Sequence, residues 1–352
     1  MTVGIYNILD HNGFELPVNR AYEAILDANG IPHRRVHVND PNFWNVLPQL
    51  DLFILRWVHE DSDRQLAHDL LPIIEHEYGV KCYPNQATCS HYDDKIKQYL
   101  LLKKNGYPYV KSFIFWDREK ALRWADEEAE YPVVFKLRGG AGSTCVWLIH
   151  SALAAKRLIR RMFHRGIHTD RLFSWGSVRL SHLKIKSEFR RLGGRVHRIM
   201  HQRDATPFWR IHKNYTLFQK FLPNNAYDTR VTVIGGRAFA FRRLVRPNDF
   251  RASGSGMIDY DLEKIDLRCV ELAQKISREM KFQCMAYDFL MDEDRNPQIC
   301  EISYTFISKA VRDCSGYWDE SMDFHEGHYW PEYFHLVDCM QRPDLKQPQI
   351  DY

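Results

Sequence analysis

The sequence has no CxxC pair. Its eight cysteines, Cys82, Cys89, Cys145, Cys269, Cys284, Cys300, Cys314 and Cys339, are scattered. That disfavours zinc ribbons and dithiol redox motifs and fits a reducing cytoplasm. No apolar run approaches the ~18–20 residues of a membrane span. The start, Met1-Thr-Val-Gly-Ile-Tyr, lacks the basic region and long apolar stretch of a signal peptide. There is no GxxxxGK[ST] loop, no HExxH, no internal repeat and no low-complexity tract. What remains is a chain of 352 residues, 45% hydrophobic. This is enough to bury a core and long enough for two or three domains.

The net charge of +4 is unevenly spread. Between Lys156 and Lys213 there are 16 Lys and Arg against Asp170, Glu188 and Asp204, or +13. The rest holds 33 basic against 42 acidic residues, or −9. The chain is an acidic framework with one strongly basic insert.

Residues 1–89 alternate between strand and helix patterns. Val3–Leu9 is a short apolar run, Arg34–Val38 and Asp51–Trp57 (DLFILRW) are candidate second and third strands, and Val18–Asn29 has Ala21, Tyr22, Ile25 and Leu26 on one helical face. This predicts a small parallel sheet covered by helices. Ser90 and Asp93 approximate a capping box before a helix that carries Lys95. Strand patterns flank Arg138-Gly-Gly-Ala-Gly-Ser-Thr, and Gly235-Gly236 between two apolar runs predicts a hairpin. Asp261–Met280 carries an apolar helical stripe, and the turn at 292–297 separates the last two strands, Cys284–Met291 and Gln298–Ser303.

Five features bear on chemistry. Gly139, Gly140 and Gly142, with Ser143 and Thr144, let backbone N–H groups approach phosphate, though an ordinary glycine-rich hairpin reads the same. Lys136 stands in an apolar strand just before them and wants an anion if it is buried, or snorkels if it is not. Gln219-Lys-Phe-Leu suits an adenine slot formed by Gln219, Lys220, Phe221 and Leu222, a pattern shared with plain core strands. Asp288 and Glu301 converge if their strands pair, with Ser303 on the face of Glu301, an oxygen set that suits Mg²⁺. Arg230, Arg242, Arg243, Arg246 and Arg251 gather around the Gly235-Gly236 hairpin, either to grip phosphate and carboxylate or as a solvated basic face.

In order along the chain, Lys95, Lys136 with its glycine loop, Gln219-Lys-Phe-Leu, Asp228-Thr-Arg230, Asp249-Phe-Arg251, Asp288 and Glu301-Ile-Ser303 resemble the ATP-grasp superfamily. The resemblance is strongest to its branch with glutathione synthetase and the ribosomal-protein glutamate ligases, and spans about Asn85 to Ser308. It implies an α/β protein with α+β subdomains: the ATP-grasp fold, preceded by a Rossmann-like domain and interrupted by a basic insertion at about 160–213. The implied divisions are 1–89, 90–218 and 219–352. The implied activity is ATP-dependent carboxylate–amine ligation through an acylphosphate. Lys95 and Lys136 would bind phosphates under the Gly139–Thr144 loop, and Asp228 would meet the ribose. Asp288, Glu301 and Ser303 would hold one or two Mg²⁺, or Mn²⁺. Arg230, Arg243 and Arg251 would hold the acylphosphate. The family has Asn where Ser303 stands; Ser is a shorter ligand, so one metal contact would be weaker or water-mediated.

The substrates are expected to be small, or lipid- or nucleotide-linked, carboxylates and amines. The insert binds such an anion, lies on an anionic membrane, or simply covers the ATP site. Nucleic acid is disfavoured by the acidic framework, and the resemblance leaves the oligomeric state open, a homodimer being common in the family. The tail, with Asp319, Asp323, His325, Glu326 and His328, lacks metal-ligand spacing and is expected to pack beside the sheet and shape an acceptor pocket. It resembles the ends of ATP-grasp proteins of bacterial surface-polysaccharide genes, implying amidation of a sugar acid or aminoacylation of an amino sugar. An ATP-grasp kinase and a non-catalytic nucleotide-binding or membrane-docking module are the alternatives.

Overall fold

The computed structural model describes residues 1–7, 15–57, 61–140, 145–168, 211–247 and 249–350. The expected strands near the start form a parallel sheet in the order β2-β1-β3-β4, with β1 at Val3–Tyr6, β2 at His33–Val36, β3 at Leu52–Ile54 and β4 at Cys82–Tyr83. Proline starts α1 (Pro17–Ala28), where its missing N–H costs nothing, and Tyr22, Ile25 and Leu26 are buried on its inner face. After α2 (Phe43–Val46), Pro72 closes α3 (Asp61–Pro72), and the chain runs on as one wide turn at Ile73–Glu77.

The pattern at Ser90 is not the cap it resembles. Asn85 caps α4 (Gln86–Cys89) by accepting from the Thr88 N–H. Asp93 then takes a left-handed φ of 46°, which no helix interior allows, so α5 (Lys95–Lys104) starts after it. Its cap is Asp94, which accepts from the N–H groups of Ile96 and Lys97 at 3.2 and 3.0 Å.

A smaller body follows. Its antiparallel sheet has the order β5-β10-β6-β7, with β5 at Ser112–Phe115, β6 at Val133–Lys136, β7 at Val146–Ile149 and β10 at Thr216–Lys220. Helices α6 (Arg118–Glu127) and α7 (Ala152–Met162) supply Ala121, Trp124, Ala155 and Ile159 to a core with Phe135 and Phe218, separate from the main one. The division at 218 falls inside β10, because Gln219 and Lys220 still pair with Val134 and Val133.

Most of the basic insert, 169–210, lies outside the described residues. Its two ends are held side by side: β8 (Ile167–His168) pairs with β9 (Ile211–His212), Ile167 opposite His212. The insert therefore leaves and re-enters the framework at one place.

The main sheet runs β15-β14-β11-β12-β16-β17, with β13 (Ile258–Asp259) beside β12. The Gly235-Gly236 turn joins β11 (Tyr227–Ile234) to β12 (Arg237–Leu244), with Ile234 opposite Arg237 and Gly235 at a left-handed φ of +57° that favours glycine. Helix α8 (Leu267–Glu279) covers the sheet with Cys269, Val270, Ala273 and Ile276. The helical stripe expected from Asp261 starts later, because Asp266 caps α8 by accepting from the Arg268 N–H. Strands β14 (Cys284–Met291) and β15 (Pro297–Ser303) lead into α9 (Ser308–Arg312).

The tail, expected to pack beside the sheet, in part joins the sheet itself. β16 (Gly316–Trp318) and β17 (Phe324–Glu326) extend the sheet, and α10 (Pro331–Met340) bridges to α1 through a 2.8 Å Tyr22 hydroxyl to His335 Nδ1 bond. One continuous core joins the first sheet to the main sheet. His325 binds Asp319 at 2.7 Å, and among the described residues no group of three His, Cys, Asp or Glu could hold a metal ion. Nor, among them, is any helix long and apolar enough to cross a membrane.

Because β8 and β9 already close the framework, replacing 169–210 with a short Gly/Ser turn should leave a cooperative fold. Loop length enters stability only logarithmically, about 0.6 kcal/mol per doubling. Thermal unfolding should shift by a few degrees at most (about 2–4 °C per kcal/mol at this size); loss of cooperative unfolding would show that the insert belongs to the core.

Candidate functional site

The two bodies face each other across a cleft of about 700 Å³. Chain segment 108–110 rides on β15, with the Val110 N–H donating to the Ile299 carbonyl at 2.9 Å, and so ties the bodies at the cleft floor.

One wall is built on the start of α5. Besides capping the helix, Asp94 accepts from the Arg138 guanidinium at 2.7 and 2.6 Å, and the Lys95 N–H donates to the Arg138 carbonyl at 2.9 Å. The Gly140 N–H donates to the Asp93 carboxylate at 2.9 Å. A Cβ at Gly139 would lie 2.9 Å from Asp93 Oδ2, and Gly140 has a φ of +106°. Glycine is required at both places, one for closeness and one for backbone conformation. Gly142, Ser143 and Thr144 lie outside the described residues.

Two buried ammonium groups face into the cleft. Lys95 Nζ donates to the Gly140 carbonyl at 2.8 Å and sits 3.2 Å from Glu301 Oε1. Burial works against its charge, but Glu301 and Asp93 outweigh burial and hold its pKa above the ordinary lysine value. Lys136 is only 6% exposed, and Nζ meets the Cys300 thiol at 3.3 Å. Among the described residues no carboxylate pairs with it.

The opposite wall depends on an irregularity in β15. Asp288 faces Glu301 and Phe289 faces Ile299, so Cys300 is the extra residue of a bulge. Strict alternation would place Ile299, Glu301 and Ser303 on one face. The bulge instead sends Ile299 and Ile302 into the core and turns both Cys300 and Glu301 to the cleft. The Ser303 hydroxyl bonds locally, donating to the Thr305 carbonyl at 2.9 Å and accepting from the Thr305 N–H at 3.2 Å, and does not line the cleft.

Asp288 is gripped by two guanidiniums. Arg230 is bidentate to it at 2.7 and 2.8 Å, and Arg243 Nη2 reaches Asp288 Oδ2 at 2.7 Å. Arg243 is also bidentate to Asp228 at 2.7 and 2.5 Å. Register explains the grouping: Asp228 faces Arg243 on β12, while Arg230 faces Asp288 on β14. Burial alone would raise the Asp288 carboxyl, yet Arg230 and Arg243 hold it well below the usual carboxylate range. Neither Arg230 nor Arg243 lines the cleft, whereas Asp228 and Asp288 reach its edge.

The far end is apolar. Val134, Val146, Phe221, Leu222 and Leu290 line it, and Phe221 meets Phe250 edge to face at 6.0 Å. The Gln219 amide donates to Ser112 Oγ at 3.3 Å, and Lys220 Nζ reaches Glu293 at 3.1 Å. Arg251 chelates Asp249 at 2.9 and 2.8 Å, and its Nη1 reaches across to the Val146 carbonyl at 3.5 Å.

Thus Lys95, Lys136, Gly140, Gln219, Lys220, Phe221, Leu222, Asp228, Arg251, Asp288 and Glu301 share one cleft, while Gly139 supports it from behind. Cys300, Asp94 and Arg138 were not singled out by the sequence. A bulge has no signature in strand alternation, and the Arg138–Asp94 pair spans 44 positions.

No family model matches the chain, and no curated protein sequence matches it. Solved structures do. The RimK domain protein ATP-grasp of Sphaerobacter thermophilus superposes with a TM-score of 0.52 at 15% identity, over 89% of this chain and 95% of that one. The D-cycloserine synthetase DcsG superposes at 0.55 and 13%, over 97% and 99%. N5-carboxyaminoimidazole synthetase of Staphylococcus aureus superposes at 0.56 and 10%, over 98% and 78%. The chain has the ATP-grasp fold. At this identity the likeness carries the fold and not the substrate.

The donors of this ATP-grasp cleft fit a nucleotide. Two buried cations suit phosphates, and the apolar end suits a base. A magnesium ion fits less completely. Glu301 is one-third exposed to the cleft, but both oxygens of Asp288 are occupied by guanidiniums.

Replacing Arg243 with Leu leaves Asp228 with no bidentate partner and Asp288 with one guanidinium fewer. Breaking a buried pair in this way typically costs about 3–5 kcal/mol. Urea unfolding of Arg243→Leu should show a loss of that order, and adding Asp228→Asn should recover part of it. A loss below about 1 kcal/mol, the usual worth of an exposed pair, would mean that the network is solvated.

Proposed function

We propose that this protein is an ATP-dependent ligase joining a carboxylate to an amine through an acylphosphate. One observation carries the reading: Lys136 is a buried ammonium facing a cleft in which no carboxylate among the described residues neutralises it. Leaving such a charge unpaired costs several kcal/mol, and a phosphate of bound ATP supplies the missing anion.

The residues divide the work by position. Lys95 and Lys136 neutralise the phosphate chain and align the γ-phosphate, while Gly139 and Gly140 let the backbone come close. Phe221, Leu222 and Leu290 enclose the base. Mg²⁺, held by Glu301 and by Asp288 once it yields a guanidinium contact, would neutralise phosphate charge. A substrate carboxylate oxygen attacks the γ-phosphorus and ADP leaves. The amine then attacks the acyl carbon, phosphate leaves, and the amine proton passes to solvent. No side-chain nucleophile is needed, since both steps depend on positioning and charge. Arg251, which lines the cleft, would hold the acylphosphate. Arg230 and Arg243 act one step back, by fixing Asp288. Asp228, bonded through both oxygens to Arg243, orients that arginine rather than a ribose.

The substrates best tested are small, or lipid- or nucleotide-linked, acids and amines, with sugar acids and amino sugars first. A cytoplasmic site of action suits the eight free cysteines.

Phosphate release from Mg·ATP should require both an acid and an amine, measured by pairing amino acids with a sugar acid or an amino sugar. Lys136→Ala and Glu301→Ala should each lower turnover at least ~10²-fold, the scale of a lost charge-stabilising contact. Stable transfer of phosphate to a single substrate would identify a kinase instead. Failure to bind Mg·ATP, or full turnover in Glu301→Ala, would remove the assigned site.

A further inference from the structure

A second cleft, of about 450 Å³, lies on the small body away from the nucleotide residues. It is lined by Arg118, Arg160, Arg161, Phe163, His164 and Arg165. Four guanidiniums and an imidazole thus converge on one space from two helices that are remote in sequence. Arg160 and Arg161 end α7, where the helix dipole favours cations. That account does not extend to Arg118, which occupies the first turn of α6, where a cation is disfavoured. His164 and Arg165 follow the end of α7 and add to the same charge.

Counter-charge within the protein is sparse. Arg118 has Glu119 at 3.8 Å, and Arg161 donates to the Gly166 carbonyl at 3.2 Å. Among the described residues no carboxylate pairs with Arg160, Arg161 or Arg165. Gathering four like charges is unfavourable unless an anion shares the space. Guanidinium forks from two directions suit an anion with many oxygens and several charges, more than a single carboxylate offers. Phe163 closes one side of the cleft with an apolar surface.

We propose that this pocket binds a clustered-phosphate group, of the di- or triphosphate class, separately from the nucleotide in the main cleft. The proposal goes beyond the ligase reading and does not rest on it. Such a group can be free in solution or borne on a lipid headgroup, and the chemistry recognised is the same.

The probe is inorganic tripolyphosphate, titrated calorimetrically into the full chain. Arg160→Gln with Arg165→Gln, at exposed positions, should weaken one binding event at least ten-fold and leave the unfolding midpoint unchanged. Lys136→Ala, which alters only the main cleft, should leave that event intact. This comparison separates failure of the pocket from failure of the ligase assignment. Co-sedimentation with phosphatidylcholine vesicles doped with diacylglycerol pyrophosphate, against undoped vesicles, distinguishes the sources. Tripolyphosphate binding without vesicle binding supports a soluble ligand. Both together, both lost in the double arginine variant, support a lipid-borne one. The proposal is overturned if tripolyphosphate binding is untouched by the arginine variants, or is abolished by Lys136→Ala alone. Vesicle binding without tripolyphosphate binding also overturns it, because a flat charged face is then sufficient.

Discussion

The contact between Lys95 and Glu301 joins the parts of this molecule that matter for chemistry. One partner stands on the first turn of α5 and the other on a bulged edge of the main sheet, 3.2 Å apart across the cleft. Burying an ammonium costs several kcal/mol unless its partners are well placed, so the surrounding structure must hold both ends. It does so from the α5 side with Asp94, which both caps the helix and anchors Arg138, and with Asp93, which fixes Gly140. Lys95 returns a bond to the Gly140 carbonyl. The helix start, the glycine loop and the metal-type carboxylate are therefore one electrostatic unit, and a change in any of them is felt by the others.

A second unit lies one step deeper. Arg243 stands between Asp228 and Asp288, and Arg230 completes the set. Two arginines against two carboxylates is a neutral arrangement, which is why it can be buried at all. It also explains why Asp288 holds its charge: the guanidiniums of Arg230 and Arg243 occupy both of its oxygens. A divalent ion at Asp288 would have to compete with the fork geometry of Arg230. A lysine at that position would meet the carboxylate through one nitrogen and compete less effectively.

Much of this was visible in the residues. The order of Lys95, Lys136, the glycines, Asp288 and Glu301 places them in a single cleft because strands that pair locally carry them: the β14–β15 hairpin brings the two carboxylates together, and the β11–β12 hairpin brings Asp228 to Arg243. Local pairing is legible because turn residues announce it. The bulge at Cys300 was not, since it adds one residue without any turn signal, and it decides which of Ile299, Cys300 and Glu301 face the cleft. The arginines around Gly235-Gly236 were legible as a group but not in role. Their partners lie on neighbouring strands, and register, not composition, determines that Arg243 and Arg230 serve Asp288.

The charge distribution follows the same division. The framework closes on itself at β8 and β9. The basic stretch begins on its described residues Arg160, Arg161 and Arg165, and Arg118 of α6 joins them there. A loop that merely shielded the nucleotide would need no such cluster at its root, on the side of the small body that the nucleotide residues do not reach. A surface that recognises phosphate groups would need one there, because α6 and the last turn of α7 hold Arg118, Arg160 and Arg161 in place. The net charge of the chain thus combines an acidic framework that holds Lys95 and Lys136 buried at the main cleft with a basic stretch in which Arg160, Arg161 and Arg165 pair with no carboxylate among the described residues.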